Sequence, residues 1–303
     1  MGIVWTPATL AAGLRSEFVL ASQAKTDPVL DSLMMKVPSN KRTETYGWLG
    51  QVNDLREWAD SKTLEALTDH TYSVPNVPYE GTLALKRTDI VDDQVGAAPQ
   101  RIRDLTTKGK FHPQRLLIDA MAGGDAALCY DGQYFYDTDH SEGSSGTQSN
   151  KLTGTGSTVA QVLADFRAAR AAIMGFKDSK GKPIYETATN IKWVVTAPVG
   201  LFGVFEELQN AAIISNTTNV IKGVFDLVAL PRLTTDDVNN WMLHAVLPGM
   251  SPFILQEREA LSFHALEGES DTGFFRDVYA YSVHWRGAVS YGWWQTSVLT
   301  TNT

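Results

Sequence analysis

The chain has 303 residues, 43% of them hydrophobic, and a formal net charge of −8. That supplies apolar material for one large core or two smaller ones and excludes a globally disordered chain. The acidic balance excludes a surface built to coat nucleic acid by neutralising phosphates. The one cysteine, Cys129, excludes an intrachain disulfide.

No apolar run approaches the ~20 residues that a membrane helix needs. The start, MGIVWTPATLAAGLRSEF, has no basic stretch before its apolar part, so no secretory signal is expected. Residues 7–24 are predicted helical, because Leu10, Leu14, Phe18 and Ala21 follow helical spacing, and Pro28 is expected to interrupt the pattern. Residues 36–78 are mostly polar. Their large apolar residues, Tyr46, Trp48, Leu49, Leu55 and Trp58, are too sparse for a core of their own, so this segment reads as an extension that needs neighbours. SVPNVPYEGTLALKR follows as a turn leading into a strand.

A helical pattern begins at Asp89. Pro99 suits a first turn, and Ile102, Leu105, Gly109, Pro113, Leu116 and Ala120 recur at steps of three or four. Pro113 crowds the carbonyl of residue 109, which predicts a kink or restart, and Gly123 with Gly124 ends the element.

CYDGQYFYDTDH, residues 129–140, gathers the cysteine, three aspartates and a histidine. One reading is a metal site from Asp137, Asp139 and His140, with Cys129 as a further candidate. In an extended chain, however, His140 points away from the two aspartates. The other reading is a turn: Asp131-Gly132 is a strong turn dipeptide, Tyr130, Phe135 and Tyr136 anchor it, and the later aspartates, Asp137 and Asp139, accept backbone donors. The pattern favours the turn. Cys129 as a nucleophile would need one of the six histidines, and no spacing supplies it.

Residues 141–158 are small and polar and read as a surface loop. Gly154 and Gly156 in LTGTGST could offer amides to an anion, but the better reading is a loop running into a helix boxed by Thr158 and Gln161. Val159, Val162, Leu163, Phe166 and Ile173 mark that helix. NIKWVVTAP, VFDLVALP and WMLHAVLP read as strands, with a helix opened by Pro198 between the first two. Near the end, Tyr279, Tyr281, Val283, Trp285, Val289 and Tyr291 alternate with Ala280, Ser282, His284, Arg286 and Ser290, giving a long strand bent at Gly287. His284 and Arg286 on its polar face read either as solvated or as a subunit contact. Eight tryptophans are many, and Trp5, Trp48 and Trp58 lie where burial against another chain is expected. The fold class is α+β.

TYGWLGQVNDLREW (45–58), DIVDDQVG (89–96), CYDGQYFYDTDH (129–140) and WVVTAPVGLFGVFEEL (193–208), in this order, resemble the major head subunit of Mu-like phages and prophages over nearly the whole chain. One departure is Ser141, where many relatives carry proline. The resemblance implies the Hong Kong 97-type capsid fold: an N-terminal arm (1–35), an extension loop (36–87), a peripheral domain with a spine helix (88–156), an axial domain (157–255) and a return to the peripheral domain (256–303). It also implies a non-enzymatic head protein without cofactor or metal. Such a protein forms hexamers and pentamers of an icosahedral shell around double-stranded DNA and is assembled in the host bacterial cytoplasm. Scaffold, portal and decoration proteins are its expected partners. Under this reading Tyr46, Trp48, Leu55, Trp58, His284 and Arg286 are candidate subunit contacts, and Tyr130, Asp131, Gly132, Phe135, Asp139 and His140 form a structural turn. Two alternatives stay open: an encapsulin-like shell with protein cargo, and a metal-dependent enzyme using Asp137, Asp139 and His140.

Overall fold

The structure, a computed structural model, describes residues 6–47, 49, 72–92, 96–186, 190–214, 216–233, 239–266 and 277–302. Helix α1 (Pro7–Ser22) starts at Thr6, whose hydroxyl accepts a hydrogen bond from Thr9 N, and its Leu10 and Leu14 are fully buried. Pro28 begins an element as well as interrupting one. It is the first residue of α2 (Pro28–Ser32), and Asp27 caps that turn by accepting from Val29 N at 2.8 Å.

Four strands follow: β1 (Met34–Pro38), β2 (Thr43–Thr45), β3 (Ser73–Pro75) and β4 (Val77–Lys86). A short α3 (Arg87–Val91) leads to the long α4 (Ala98–Ala122), which ends at Gly123. The kink or restart expected at Pro113 does not divide α4. Buried side chains on both sides of the proline, Ile102 and Thr106 before it and Leu117 and Met121 after it, hold the two halves in one helix. Gly109 lets the helix lie close to the sheet, since a Cβ there would come within 2.8 Å of Leu261.

The second half contains β5 (Lys151–Thr153), α5 (Val159–Gly175), β6 (Lys192–Ala197), α6 (Val199–Asn210), β7 (Ile213–Ile214), β8 (Thr217–Thr218), β9 (Phe225–Ala229) and β10 (Trp241–Val246). Two long strands, β11 (Phe253–Leu266) and β12 (Val278–Tyr291), precede a one-turn 3-10 helix (Trp294–Thr296) and β13 (Ser297–Thr301).

These strands make two main sheets. The first has the order β1-β11-β12-β4, with β1 parallel to β11 and the other pairs antiparallel. The second has the order β5-β13-β10-β6-β9. Along β12 the expected alternation holds: Tyr281, Val283 and Trp285 are buried while His284 is exposed. The buried face looks towards α4 and α1. Leu10, Leu14, Ile90, Ala98, Ile102 and Tyr281 form a small separate core there, and a much larger core surrounds the second sheet.

Two expectations need correcting. Segment 36–87 was expected to lack a core, yet its described parts share the main one. Tyr46, Leu49 and Val74 are buried there, and the Tyr46 hydroxyl donates to Gln256 Oε1 at 2.6 Å. Tyr46 is therefore used inside its own chain and is not free for a neighbouring subunit. Trp5, Trp48, Leu55 and Trp58 lie outside the described residues. Strand pairing also redraws the segment boundaries. β13, from the expected return to the peripheral domain, joins β10 and β5 in the second sheet, and β5 itself comes from the segment 88–156.

Candidate functional site

The segment 129–140 is a tight turn packed between the two sheets. Cys129 N donates to Gln133 O at 2.8 Å, and Gly132 N donates to Cys129 O. Gly132 has a φ of 87°, a left-handed conformation that a side chain would strain. Phe135 is fully buried and stacks on Tyr291 with ring centroids 4.7 Å apart. Tyr136 Oη lies 2.9 Å from Ser297 Oγ, which in turn lies 2.9 Å from His244 Nδ1. His244 Nε2 reaches Thr196 Oγ1 at 3.0 Å, so this chain of polar groups crosses the middle of the second sheet. Complete burial pulls the pKa of His244 down to about 3, keeping it neutral.

His140 is the centre of the turn and is fully buried. Its ring lies flat on Trp294, with centroids 4.0 Å apart and 7° between planes. Nδ1 is 2.6 Å from Asp131 Oδ2, and Nε2 is 3.2 Å from Asn150 Oδ1. The orientation of Asn150 is fixed by its amide, which donates to Phe135 O, Trp294 O and Ser297 O, so its oxygen faces the ring. Nε2 therefore faces an acceptor, and Nδ1 shares a short hydrogen bond with the Asp131 carboxyl. Burial pushes the Asp131 pKa up, but the hydrogen bond and charge of His140 outweigh it and hold the carboxyl below its usual range.

The proposed triad of Asp137, Asp139 and His140 is not assembled. Asp137 accepts from Thr138 N at 2.7 Å and Tyr134 N at 3.3 Å, and Asp139 is exposed. Cys129, Asp131 and His140 come together instead, with one ligand atom from each inside a 4.8 Å span. These atoms are already engaged with one another: Cys129 Sγ donates to Asp131 Oδ1 at 3.0 Å, and His140 Nδ1 lies 2.6 Å from the other oxygen. Burial first, then the charge of Asp131, pushes the Cys129 thiol pKa up, so the sulfur keeps its proton and is a poor nucleophile. The cluster can pin the turn to Asn150 and Trp294, a fixed geometry with no open coordination position.

The glycine loop is also filled from within. Asp165 accepts from Thr155 N at 2.8 Å and from Thr155 Oγ1 at 3.0 Å, so the chain's own carboxylate occupies the place where an anion would sit. Gln161 accepts from Thr158 N at 3.2 Å, closing the expected box. On the outer face of β12, Arg286 pairs with Glu259 at 3.1 Å while its Nε is buried without a partner. A cavity of about 430 Å³ lies between α4 and the first sheet, lined by Tyr79, Lys108, His112, Arg115 and Trp285 among others. Sequence reasoning missed Asn150 and Asp165. Their roles depend on partners 144 or 147 residues away, or across a loop, and leave no spacing signal.

The long helix-backed sheet, the compact second sheet and the turn between them make up the fold seen in solved phage capsids, the Hong Kong 97-type fold. The solved structures agree. The chain superposes on the procapsid of bacteriophage JBD30 with a TM-score of 0.56 at 24% identity, covering 99% of this chain and 77% of that one. It also superposes on a virus-like particle from Pyrococcus furiosus, with a TM-score of 0.53 at 11% identity, covering 95% and 98%. The profile of the Mu-like prophage major head subunit gpT matches residues 8–167 and 232–303, and the chain belongs to this family. It is 28% identical over 260 residues to the Mu-like prophage FluMu major head subunit of Haemophilus influenzae, covering 86% of this chain and 61% of that relative's length. It is 34% identical over 110 residues to the major capsid protein of Escherichia phage Mu, covering 36% of each. No helix among the described residues is long and apolar enough to cross a membrane.

Proposed function

We propose that this chain builds the icosahedral head of a tailed phage by associating into hexamers and pentamers that close around double-stranded DNA. The observation that carries this reading is the family profile, which spans both ends of the chain on a shell-subunit fold. The work is binding, not catalysis, as the mutual hydrogen bonding and enclosure of Cys129, Asp131 and His140 supports. Each contact can be modest, because a subunit meets several neighbours at once and ring closure raises effective concentration. The wall holds DNA by enclosure, in keeping with a net charge of −8.

In this reading Trp48, Leu55 and Trp58 meet a neighbouring subunit, and His284 and Arg286 lie on the open face of β12 as further contacts. A scaffold, a portal and decoration proteins are the partners, and assembly takes place in the host bacterial cytoplasm. The test is light scattering at rising protein concentration, with negative-stain images of the same samples, alone and with a co-expressed scaffold. Rings, sheets or closed shells are expected. A monomer that persists under every condition overturns the reading.

A second reading, a shell loaded with protein in the manner of encapsulins, is favoured by the similarity to the Pyrococcus furiosus particle. Nuclease treatment of particles purified from cells separates the two, since protected double-stranded DNA belongs only to the first.

A further inference from the structure

The open face of the first sheet carries a histidine pair, His264 and His284, of which the shell reading uses only His284, as a subunit contact. In β11 and β12, Ser262 lies opposite His284 and His264 opposite Ser282, so the two histidines are diagonal neighbours on one face. Their ring centroids are 4.6 Å apart and both side chains are exposed. This closeness is made by irregularity. The register slips between Glu257 and Glu259 and again between Glu259 and Ser262. Had the pairing of Glu257 with Gly287 continued unbroken, His284 would face Ala260 and His264 would face Ala280. The rings would then stand about 13 Å apart along the hairpin. Bulges that re-aim side chains in this way recur at functional sites.

The hydrogen bonds around the rings fit a ligand role. Ser262 Oγ lies 3.0 Å from His264 Nε2 and 3.5 Å from the His284 carbonyl, so Nε2 is the engaged nitrogen of that ring. Ser282 Oγ sits 2.9 Å from His284 Nε2 in the matching position on the other strand. Fixing one imidazole nitrogen by a hydrogen bond is how proteins orient the other towards a metal. On the third strand, exposed Glu80 of β4 lies directly opposite His284, and its carboxylate, 2.5 Å from Thr82 Oγ1, would leave that hydroxyl to join the pair.

We propose that His264, His284 and Glu80 form a surface site for a divalent transition-metal ion of the zinc class, clipping β11, β12 and β4 together. Two imidazoles and a carboxylate are a donor set that suits zinc, with water completing a tetrahedron. The site stands independently of assembly, because all three ligands come from one subunit.

The test is calorimetric titration of the full chain with zinc chloride in chelator-free buffer. Cobalt(II) absorption is recorded in parallel. One bound ion per subunit is expected, with a cobalt spectrum free of thiolate charge transfer. His264→Ala and His284→Ala should each weaken zinc binding by at least ~10-fold, Glu80→Gln by less, and Cys129→Ser not at all. Both histidines are exposed, and circular dichroism checks that the variants fold. The proposal is overturned by absence of zinc binding to the wild-type chain, by unchanged affinity in both histidine variants, or by a thiolate band lost in Cys129→Ser, which would place the ion in the buried turn.

Discussion

The second sheet and the outer half of the first sheet handle polar groups in opposite ways. Around the second sheet, His140, Asn150, His244 and Ser297 are fully buried and joined in closed networks. On the outer half of the first sheet, Glu80, Thr82, His264 and His284 face solvent, and only the other face is covered, by α1 and α4. A closed buried network admits one geometry, because every alternative leaves a polar group unpaired. An open polar face costs little and stays available for a partner. The contrast divides the subunit into a part that fixes its own shape and a part that is free to meet something else.

The largest effect is expected from breaking the closed network. His140→Ala leaves the Asp131 carboxylate buried without its imidazole partner, removes the ring from Asn150 Oδ1 and opens a gap against Trp294. Removing one partner of a buried pair costs about 3–5 kcal/mol, which urea unfolding at neutral pH would measure. A loss under about 1 kcal/mol would mean that the turn is not held by this pair.

Next comes acid sensitivity. His244 has a folded pKa of about 3 against an ordinary value of 6.5, because burial disfavours its charge. Above the unfolded pKa both states are neutral and the group adds no pH dependence. As pH falls below it, only the unfolded chain takes up the proton, and stability is lost. Between pH 7 and pH 5 the loss is about 2 kcal/mol. Unfolding curves at both pH values check this, and His244→Gln should flatten the difference.

The junction between the two behaviours is Gly287. A Cβ there would come within 2.3 Å of the Gln256 carbonyl, a backbone atom that cannot swing aside, at the point where the register begins to slip. Gly287→Ala should cost about 1–3 kcal/mol. It should also disturb the spacing of His264 and His284, readable as a weaker zinc affinity.

Much of this contrast is legible in the sequence, and the illegible part has a physical pattern. The alternation of Tyr281, Val283 and Trp285 with His284 places β12 correctly, because a strand writes its two faces at period two. The Asp-Gly turn and the aromatic anchors of 129–140 are likewise local signals. Tyr46 is misjudged because its partner Gln256 is 210 residues away, and composition near residue 46 carries no trace of it. Asp139 and His140 are candidate ligands by residue type, and adjacency already sets them on opposite sides of an extended chain; the turn exposes one and buries the other. The approach of His264 to His284 rests on two register slips, each needing only one extra residue in β11, which a sequence pattern does not reveal.

The smallest effect on stability, and the sharpest test of the comparison, belongs to the open face. Arg286 pairs with a Glu259 that is 60% exposed, and its own side chain is 30% exposed, so solvent screens the attraction. Arg286→Ala should change the folding stability of the isolated subunit by about 0–1 kcal/mol. The same substitution should impair assembly, because the exposed part of this side chain lies on the face offered to a neighbour. The two readouts are independent: urea unfolding of the monomer, and light scattering under assembling conditions. Near-normal stability with failed assembly keeps the face as a contact surface. A loss of stability as large as that of His140→Ala would make Arg286 part of the subunit's own frame, and the division between a closed half and an open half would fall with it.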